Sequence, residues 1–260
     1  MLRCDAIPLD RRRRGADFRR MASTTLDPAE IAKFGALAAE WWNPKGPFGA
    51  LHRLNPLRLQ FIRDTVTRHF GTKGVRPLTG LSVLDLGCGG GLVSAPLARM
   101  GGQVTGVDAA PEAIGAARAY AASASLDIDF QNTSGEALVE AGAQFNLVTA
   151  LEIVEHVADV NAFLEAAEAL VKPGGLLILS TINRTAKARA LAIVGAERIL
   201  QWAPEGAHEY DKLVKPDEIR AGAAGIRWDE PVGVTYQPLG AGWALSSDTD
   251  VNYMMAGAKP

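Results

Sequence analysis

The chain has 260 residues, of which 48% are hydrophobic and 22% are charged, enough apolar material for the core of one or two domains. Its formal net charge of −2 gives no electrostatic reason to expect a nucleic acid or an acidic membrane as partner of the main body. No run of 18 or more apolar residues occurs, so the sequence offers no candidate membrane-spanning helix.

The first 26 residues differ in composition from the rest of the chain. Seven arginines occur among the first 20 residues, as is typical of a mitochondrial presequence or a nucleic-acid-binding arm. Transit peptides avoid acidic residues, whereas three aspartates stand here, and Met21 is a second possible start. We therefore interpret residues 1–26 as a disordered or spurious leader and expect residues 27–260 to form a single domain.

Two helices are predicted between residues 27 and 80. The segment Asp27–Glu30 is a helix-start signature, with aspartate at the N-cap, proline at the first helical position and glutamate at the third. This helix should run to about Trp42, because Asn43–Pro47 is rich in residues that break helices. A second helix is predicted over Pro56–Phe70, where the apolar residues share one face.

Short apolar strands alternate with helices over residues 81–183. This alternation predicts a parallel sheet that is covered by helices on both faces. Residues 214–260 add one helix and two late strands, so we predict an α/β, Rossmann-like fold with a largely parallel, seven-stranded sheet. The predicted strands are Leu81–Leu86, Val104–Val107, Ile128–Phe130, Phe145–Leu151, Leu176–Thr181, Val232–Tyr236 and Val251–Met255.

A glycine-rich loop follows the first of these strands. Asp85 stands near the strand end, and four glycines, including Gly87 and Gly89, follow before the next helix. Glycines lack a Cβ atom and so let the backbone approach a ligand closely. Asp108 ends the second strand 21 residues after Gly87, where an acidic side chain reaches both hydroxyls of a ribose. The pattern predicts a cofactor that contains adenosine, and Cys88 is interpreted as a small loop residue.

Two classes of cofactor use a loop of this kind. The dinucleotide fingerprint requires glycine or alanine at its sixth position, where this chain has Leu92. The acidic Asp85 before the first glycine instead matches the loop of class I methyltransferases. The sequence therefore favours S-adenosylmethionine over a dinucleotide such as NAD.

Further motifs resemble the ubiquinone-biosynthesis O-methyltransferase family, over about residues 28 to 256. The most specific are Trp41-Trp42, the segment His52–Arg58 and the segment Asp250–Tyr253. The glycine loop and the turn Lys172–Gly175 occur in many class I methyltransferases and indicate only the class. The resemblance implies methylation of polyprenyl phenols and quinols, namely 2-polyprenyl-6-hydroxyphenol and 3-demethylubiquinol.

The resemblance also implies which residues contact S-adenosylmethionine. They are Arg58, Gly87, Asp108 and Leu151, to which the loop pattern adds Gly89 and Asp85. A guanidinium at Arg58 would clamp the cofactor's carboxylate through paired hydrogen bonds. Residue type alone would instead favour a solvated arginine on a helix.

The acidic cluster Glu152, Glu155 and His156 follows the fourth strand, at the sheet edge where open α/β sheets bind ligands. A free phenol has a pKa of about 10 and needs help to lose its proton at neutral pH. His156 could act as general base, or all three side chains could hold Mg or Zn, which would lower the pKa of the phenol. A third interpretation assigns them to helix capping or surface contacts.

The segment 184–213 lies where class I methyltransferases often carry a substrate-specificity insertion, and we interpret it as a substrate lid. Its charges do not separate to one side of a helix, so the pattern of an amphipathic membrane helix is poor. Because a polyprenyl quinol partitions into lipid, the resemblance still implies a peripheral membrane contact or a biosynthetic complex. We expect the cytoplasmic side of a bacterial inner membrane rather than a mitochondrial matrix, and no nucleic-acid partner.

Three alternatives remain at this stage. The chain could be another small-molecule methyltransferase, a cofactor-binding protein without catalysis, or an NAD-dependent oxidoreductase. A shift of the melting temperature with S-adenosylmethionine or with NAD would separate the cofactor classes, because a ligand stabilises the folded state that binds it.

Overall fold

The computed structural model describes residues 25–191, 209–237 and 242–260. The predicted leader up to residue 24 and most of the predicted lid, residues 192–208, lie outside the described residues. The helices are α1 Pro28–Ala36, α2 Gly49–Phe70, α3 Ser94–Arg99, α4 Pro111–Ser123, α5 Gly135–Glu140, α6 Val160–Ala169, α7 Ala186–Ala188 and α8 Pro216–Gly222. The strands are β1 Ser82–Leu86, β2 Gln103–Asp108, β3 Asp129–Asn132, β4 Phe145–Leu151, β5 Val171–Ile182, β6 Arg227–Trp228, β7 Val232–Gln237, β8 Gly242–Ser246 and β9 Asn252–Ala258.

One sheet with the strand order β3-β2-β1-β4-β5-β9-β7-β8 runs through the described residues, and β6 pairs with β9. The first five strands are parallel, whereas β9 runs antiparallel to β5. The order reverses at β1, which lies between β2 and β4, and open α/β sheets bind ligands outside the carboxyl ends of the strands at such a point. The α/β, Rossmann-like class is confirmed.

The predicted number of seven strands is wrong, because the sheet already has nine strands within the described residues. The two additional strands are β6, which is only two residues long, and β8, which forms an antiparallel hairpin with β7. A strand as short as β6 cannot give a periodic signal. Both lie on the antiparallel side of the sheet, away from the switch point.

Apolar side chains alternate between the two faces of the sheet. Leu84 and Val148 belong to one buried cluster, together with Phe163 of α6, and Val83 belongs to the other, together with Phe61 of α2. This alternation follows from the two-residue period of a strand. Helices therefore cover both faces, and the sheet is rigidly enclosed beneath its carboxyl edge.

The N-terminal helices differ from the prediction at their ends. Asp27 caps α1 as expected, accepting hydrogen bonds from the backbone N–H groups of Ala29 and Glu30, but α1 ends at Ala36 rather than near Trp42. The second helix begins at Gly49 and has Pro56 in its interior. The predicted start at Pro56 is therefore wrong, although a proline inside a helix removes one backbone hydrogen bond. Burial of the apolar side chains of α2 against the sheet outweighs that loss.

Candidate active site

Two cavities open at the carboxyl edge of the sheet, on either side of the glycine loop. The first is bordered by Asp108, and the second is bordered by Asp85 and Leu151. They share a wall made by one loop glycine, two aromatic residues and two polar residues. These are Gly87, Phe34, Trp41, Glu152 and His156.

The glycine loop needs its glycines for two separate reasons. Gly87 has φ +73° and Gly89 has φ +51°, in the left-handed region that other residues rarely adopt. A Cβ atom at Gly87 would overlap the side chain of Ile153, and one at Gly89 would overlap the indole of Trp41. The loop is therefore tightly covered, and its backbone lies directly at the shared wall of the two cavities.

Asp108 stands at the end of β2 and is held by backbone groups. Its two carboxylate oxygens accept hydrogen bonds from the N–H groups of Gly89 and Ala110, both at 2.8 Å. Burial raises the pKa of Asp108 above its usual value. A carboxylate has about four acceptor positions, so one fixed in this way can still accept hydrogen bonds from a ligand in the first cavity.

Asp85 is buried beside the second cavity. It accepts hydrogen bonds from the hydroxyl groups of Ser94 at 2.5 Å and Thr149 at 2.9 Å. Burial nevertheless raises the pKa of Asp85 to about 6, because loss of water around the charged form outweighs these two hydrogen bonds. The site thus has a buried carboxylate with a raised pKa on each side of the glycine loop, as expected where a ligand is recognised.

Trp41 supplies a further polar group inside the site. Its side chain is 8% exposed, stacks on Phe48 with 3.8 Å between ring centroids, and lines both cavities. The indole Nε1 is buried and has no hydrogen-bond partner among the described residues. A buried donor without a partner costs stability, so this group is suited to donate to a bound ligand.

Glu152 lies at the centre of a polar cluster, so its carboxylate is already engaged by neighbouring side chains. Its carboxylate lies 3.0 Å from Nη2 of Arg58, and it accepts hydrogen bonds from Ser180 at 2.8 Å and Asn252 at 3.2 Å. Its backbone φ of +52° is unusual for a residue other than glycine. Arg58 itself lines neither of the two cavities, so the structure places it behind Glu152 and not against the space for a cofactor.

Glu155 and His156 point to different partners. Glu155 is buried and accepts a hydrogen bond from Thr181 at 2.8 Å, whereas Nδ1 of His156 lies 3.0 Å from Oε2 of Glu30. Within the described part of the chain, no group of three His, Cys, Asp or Glu side chains is arranged to hold a metal ion. The three predicted metal ligands, Glu152, Glu155 and His156, therefore do not converge on one point.

Comparison with known proteins identifies the family. Residues 51–213 match a family described as "Methyltransferase domain". The ubiquinone biosynthesis O-methyltransferases of Azorhizobium caulinodans and Brucella anthropi are each 50% identical to this chain over 243 residues, or 92% of it. These residues span 96% and 98% of the two relatives. The chain belongs to the ubiquinone biosynthesis O-methyltransferase family.

Solved structures confirm the fold of this methyltransferase. The magnesium protoporphyrin IX methyltransferase of Synechocystis PCC 6803, solved with bound S-adenosylmethionine, matches with a TM-score of 0.56 at 19% identity, over 98% of this chain and 100% of that one. The PH0226 protein of Pyrococcus horikoshii OT3 matches with a TM-score of 0.58 at 15% identity, over 88% and 99% of the chains. The family and the fold make this chain an enzyme that uses S-adenosylmethionine.

The site of the methyltransferase fits that cofactor. The glycine loop lies between the two cavities, and the carboxylates of Asp108 and Asp85 border one cavity each. The orphaned Nε1 of Trp41 adds a donor between them. The structure thus brings five of the predicted cofactor residues to one place, namely Asp85, Gly87, Gly89, Asp108 and Leu151.

Two further contacts of the methyltransferase were not predicted. Glu30 was interpreted only as part of a helix-start signature, yet its carboxylate reaches His156. Thr25 donates a hydrogen bond to the buried Glu136 at the edge of the first cavity. Both pairs are more than 100 residues apart in sequence, so no local pattern indicated them.

No helix of the described residues is long and apolar enough to cross a membrane.

Proposed function

We propose that this methyltransferase methylates phenolic hydroxyl groups of polyprenylated ubiquinone precursors, namely 2-polyprenyl-6-hydroxyphenol and 3-demethylubiquinol. The family membership supports the reaction and the class of acceptor. The observation that carries the mechanism is the position of His156, on the wall that the two cavities share. A group there can meet an acceptor that reaches the reacting end of the cofactor.

S-adenosylmethionine, when bound, supplies an activated methyl group that is transferred to the phenol oxygen with release of S-adenosylhomocysteine. Asp108 would hold its ribose hydroxyls, and Asp85 and Leu151 would border its methionine end. Gly87 and Gly89 line the first cavity, so their backbone would border the bound cofactor. Arg58 would act indirectly, since its guanidinium stabilises Glu152 at the carboxyl end of β4.

His156 would accept the proton of the phenol. A phenol with a pKa of about 10 is mostly protonated at neutral pH, and its oxygen becomes a good nucleophile only as the proton leaves. The imidazole accepts that proton while the new oxygen–carbon bond forms, and later returns it to solvent. Apolar side chains beside it, including Ile31, Phe34 and Ile153, suit an aromatic ring with a hydrocarbon tail.

A divalent metal is the other proposed way to activate the phenol. The predicted ligands Glu152, Glu155 and His156 do not fit it in their present arrangement, because each is bonded to a different neighbour. We therefore assign the proton transfer to His156 and derive no step through a metal.

The proposal is tested with a short-tailed 3-demethylubiquinol and S-adenosylmethionine, with and without a chelator. We expect turnover in both conditions and a loss of roughly 100-fold or more in kcat for His156→Ala. The matched control is His69→Ala, because His69 bonds the backbone of Gly174 outside the site. Unchanged turnover in His156→Ala would refute the role of His156 as general base. Loss of turnover in chelator, with recovery on adding Mg or Zn, would support activation of the phenol by a metal instead.

We also propose that the enzyme works at the cytoplasmic face of a bacterial inner membrane, in peripheral contact with lipid or with a biosynthetic complex. The support is chemical, because the polyprenyl tail of the acceptor resides in lipid. Sedimentation with anionic vesicles tests it, using the whole chain and a variant that lacks residues 186–201. Equal sedimentation and equal long-chain turnover of the two proteins would contradict a role for this segment.

A further inference from the structure

The glycine loop after β1 keeps an unusual backbone shape with little help from its own side chains. Four of its residues are glycines, and three of them, Gly87, Gly89 and Gly91, have φ values of +73°, +51° and +83°. Glycine loses more conformational freedom on ordering than any other residue. A loop that becomes ordered only when its ligand binds lowers the affinity by the entropy that it loses. Contacts from outside the loop can therefore decide how tightly the ligand is held.

Two side chains from the N-terminal part of the chain donate hydrogen bonds to this loop. The indole Nε1 of Trp42 donates to the carbonyl oxygen of Gly90 at 2.9 Å, and Nδ2 of Asn55 donates to the carbonyl oxygen of Leu92 at 2.8 Å. Gly90 directly follows Gly89, which lines the first cavity, and Leu92 lines the second. As the structure describes them, Trp42 and Asn55 lie outside the lining of both cavities, so they reach the site only through the loop.

Other aromatic and polar groups hold Trp42 in place. Its indole stacks on the ring of Tyr120 in α4, with 3.3 Å between the centroids and 7° between the planes. The hydroxyl of Tyr120 in turn accepts a hydrogen bond from Arg99 at 3.0 Å. Nε2 of His52 donates to the carbonyl oxygen of Trp41 at 2.8 Å, which fixes the backbone of the tryptophan pair. These contacts fix the position of the indole N–H independently of the loop.

The amide of Asn55 is only half satisfied by its surroundings. The residue is 7% exposed, and its Oδ1 is buried without a hydrogen-bond partner among the described residues. A buried acceptor without a partner costs stability, so stability alone does not account for an amide here, whereas its bond to Leu92 does. Trp42 and Asn55 also belong to the motifs Trp41-Trp42 and His52–Arg58, and the contact with the loop gives each a physical role.

We propose that Trp42 and Asn55 are positioning residues of the cofactor site, which hold the glycine loop in its cofactor-binding shape before the cofactor arrives. The inference rests on the proposed function only in its placement of S-adenosylmethionine at this loop. It does not depend on the acceptor or on the group that activates the phenol. The two residues therefore act on the affinity for the cofactor and not on the chemical step.

Calorimetric titration of the full chain with S-adenosylhomocysteine, the product form of the cofactor, tests the proposal without turnover. Trp42→Phe keeps an aromatic ring against Tyr120 and removes the indole donor, and Asn55→Leu removes the amide donor at similar size. Each variant should raise the Kd roughly 3- to 10-fold, the effect of one lost hydrogen bond. The KM for S-adenosylmethionine should rise in parallel, while kcat at saturating cofactor stays within about twofold.

The matched control is Trp228→Phe, which removes an indole N–H that donates to the backbone carbonyl of Ala223 at 3.2 Å, on the antiparallel side of the sheet. It should leave the Kd unchanged. Hydrogen exchange of the unliganded protein gives a second readout. The amides of residues 87–92 should exchange faster in Trp42→Phe and Asn55→Leu than in the wild type or the control.

A lower kcat with an unchanged Kd would overturn the proposal, because the two residues would then act on the fold or on the chemical step. An unchanged Kd with unchanged exchange of the loop amides would also overturn it and leave the proposed function intact. Binding of S-adenosylhomocysteine that is unaffected by Asp108→Asn would refute the placement of the cofactor, and the positioning role with it.

Discussion

Replacement of Asp85 by asparagine should make the unliganded enzyme more stable at alkaline pH and less able to bind its cofactor. Asp85 is buried, and its pKa is raised from 3.8 to about 6. A raised pKa means that the folded protein binds the proton more tightly than the unfolded chain does. The contribution of Asp85 to stability is therefore highest below about pH 3.8 and is lost as the pH rises through 6. Asparagine keeps the size of the side chain and removes this dependence.

The size of the effect follows from the two pKa values. At about 1.36 kcal/mol per pH unit, the interval between 3.8 and 6 corresponds to about 3 kcal/mol once Asp85 is fully ionised. About 1.4 kcal/mol of this cost develops between pH 5 and pH 8. Ser94 and Thr149 can both accept and donate, so they can still bond an asparagine amide.

Urea unfolding of the wild type and Asp85→Asn at pH 5 and pH 8 measures the effect. The stability of the variant relative to the wild type should increase by about 1.4 kcal/mol between these pH values, while its affinity for S-adenosylmethionine falls. Other groups that titrate cancel in this comparison. Asp127→Asn, at an exposed position, is the matched control and should follow the wild type. A difference between Asp85→Asn and the wild type that stays constant with pH would refute the reasoning.

Three further substitutions test the site. Gly89→Ala should lose about 1–3 kcal/mol of stability and weaken cofactor binding, because its Cβ overlaps Trp41 and its φ is +51°. Calorimetry measures the melting temperature against that of Gly74→Ala, where a Cβ meets open space. Equal melting temperatures of the two variants would contradict the overlap with Trp41. Arg58→Met should cost about 3–5 kcal/mol of stability, because it removes the positive charge that neutralises the largely buried Glu152 carboxylate. Adding Glu152→Gln should recover part of this loss in urea unfolding. Fully additive effects of the two substitutions would contradict the ion pair. Trp41→Phe should raise the Kd for S-adenosylmethionine about 3- to 10-fold, because it removes the indole N–H donor. Calorimetric titration measures this Kd. An unchanged Kd would show that the indole N–H does not bind the cofactor.

The cofactor half of the site could be predicted because its signals are local. The glycine loop and Asp108 each follow a strand directly, and parallel strands bring their carboxyl ends to one edge. The same rule correctly placed Glu152 and His156 at that edge. Closeness in sequence did not ensure that the acidic cluster converges, since Glu152 adopts a left-handed conformation and Glu155 turns inward to Thr181.

The remaining features depend on contacts between distant parts of the chain. The pattern at Asp27–Glu30 correctly predicted a helix start. It did not show that the Glu30 side chain contacts His156, which lies 126 positions away in the sequence. The motif Asp250–Tyr253 resembles the family, but its sequence alone does not show what its side chains do. In the structure its Asn252 donates to Glu152, which gives the motif a physical role at the site.

The most direct test of the central claim follows a labelled methyl group from S-adenosylmethionine into a short-tailed 3-demethylubiquinol. The wild-type enzyme should place the label on a phenol oxygen of the quinol, and His156→Ala should bind the cofactor with similar affinity yet transfer the label at least roughly 100-fold more slowly. Equal transfer by the two proteins, or no label on the quinol with intact cofactor binding, would contradict the account.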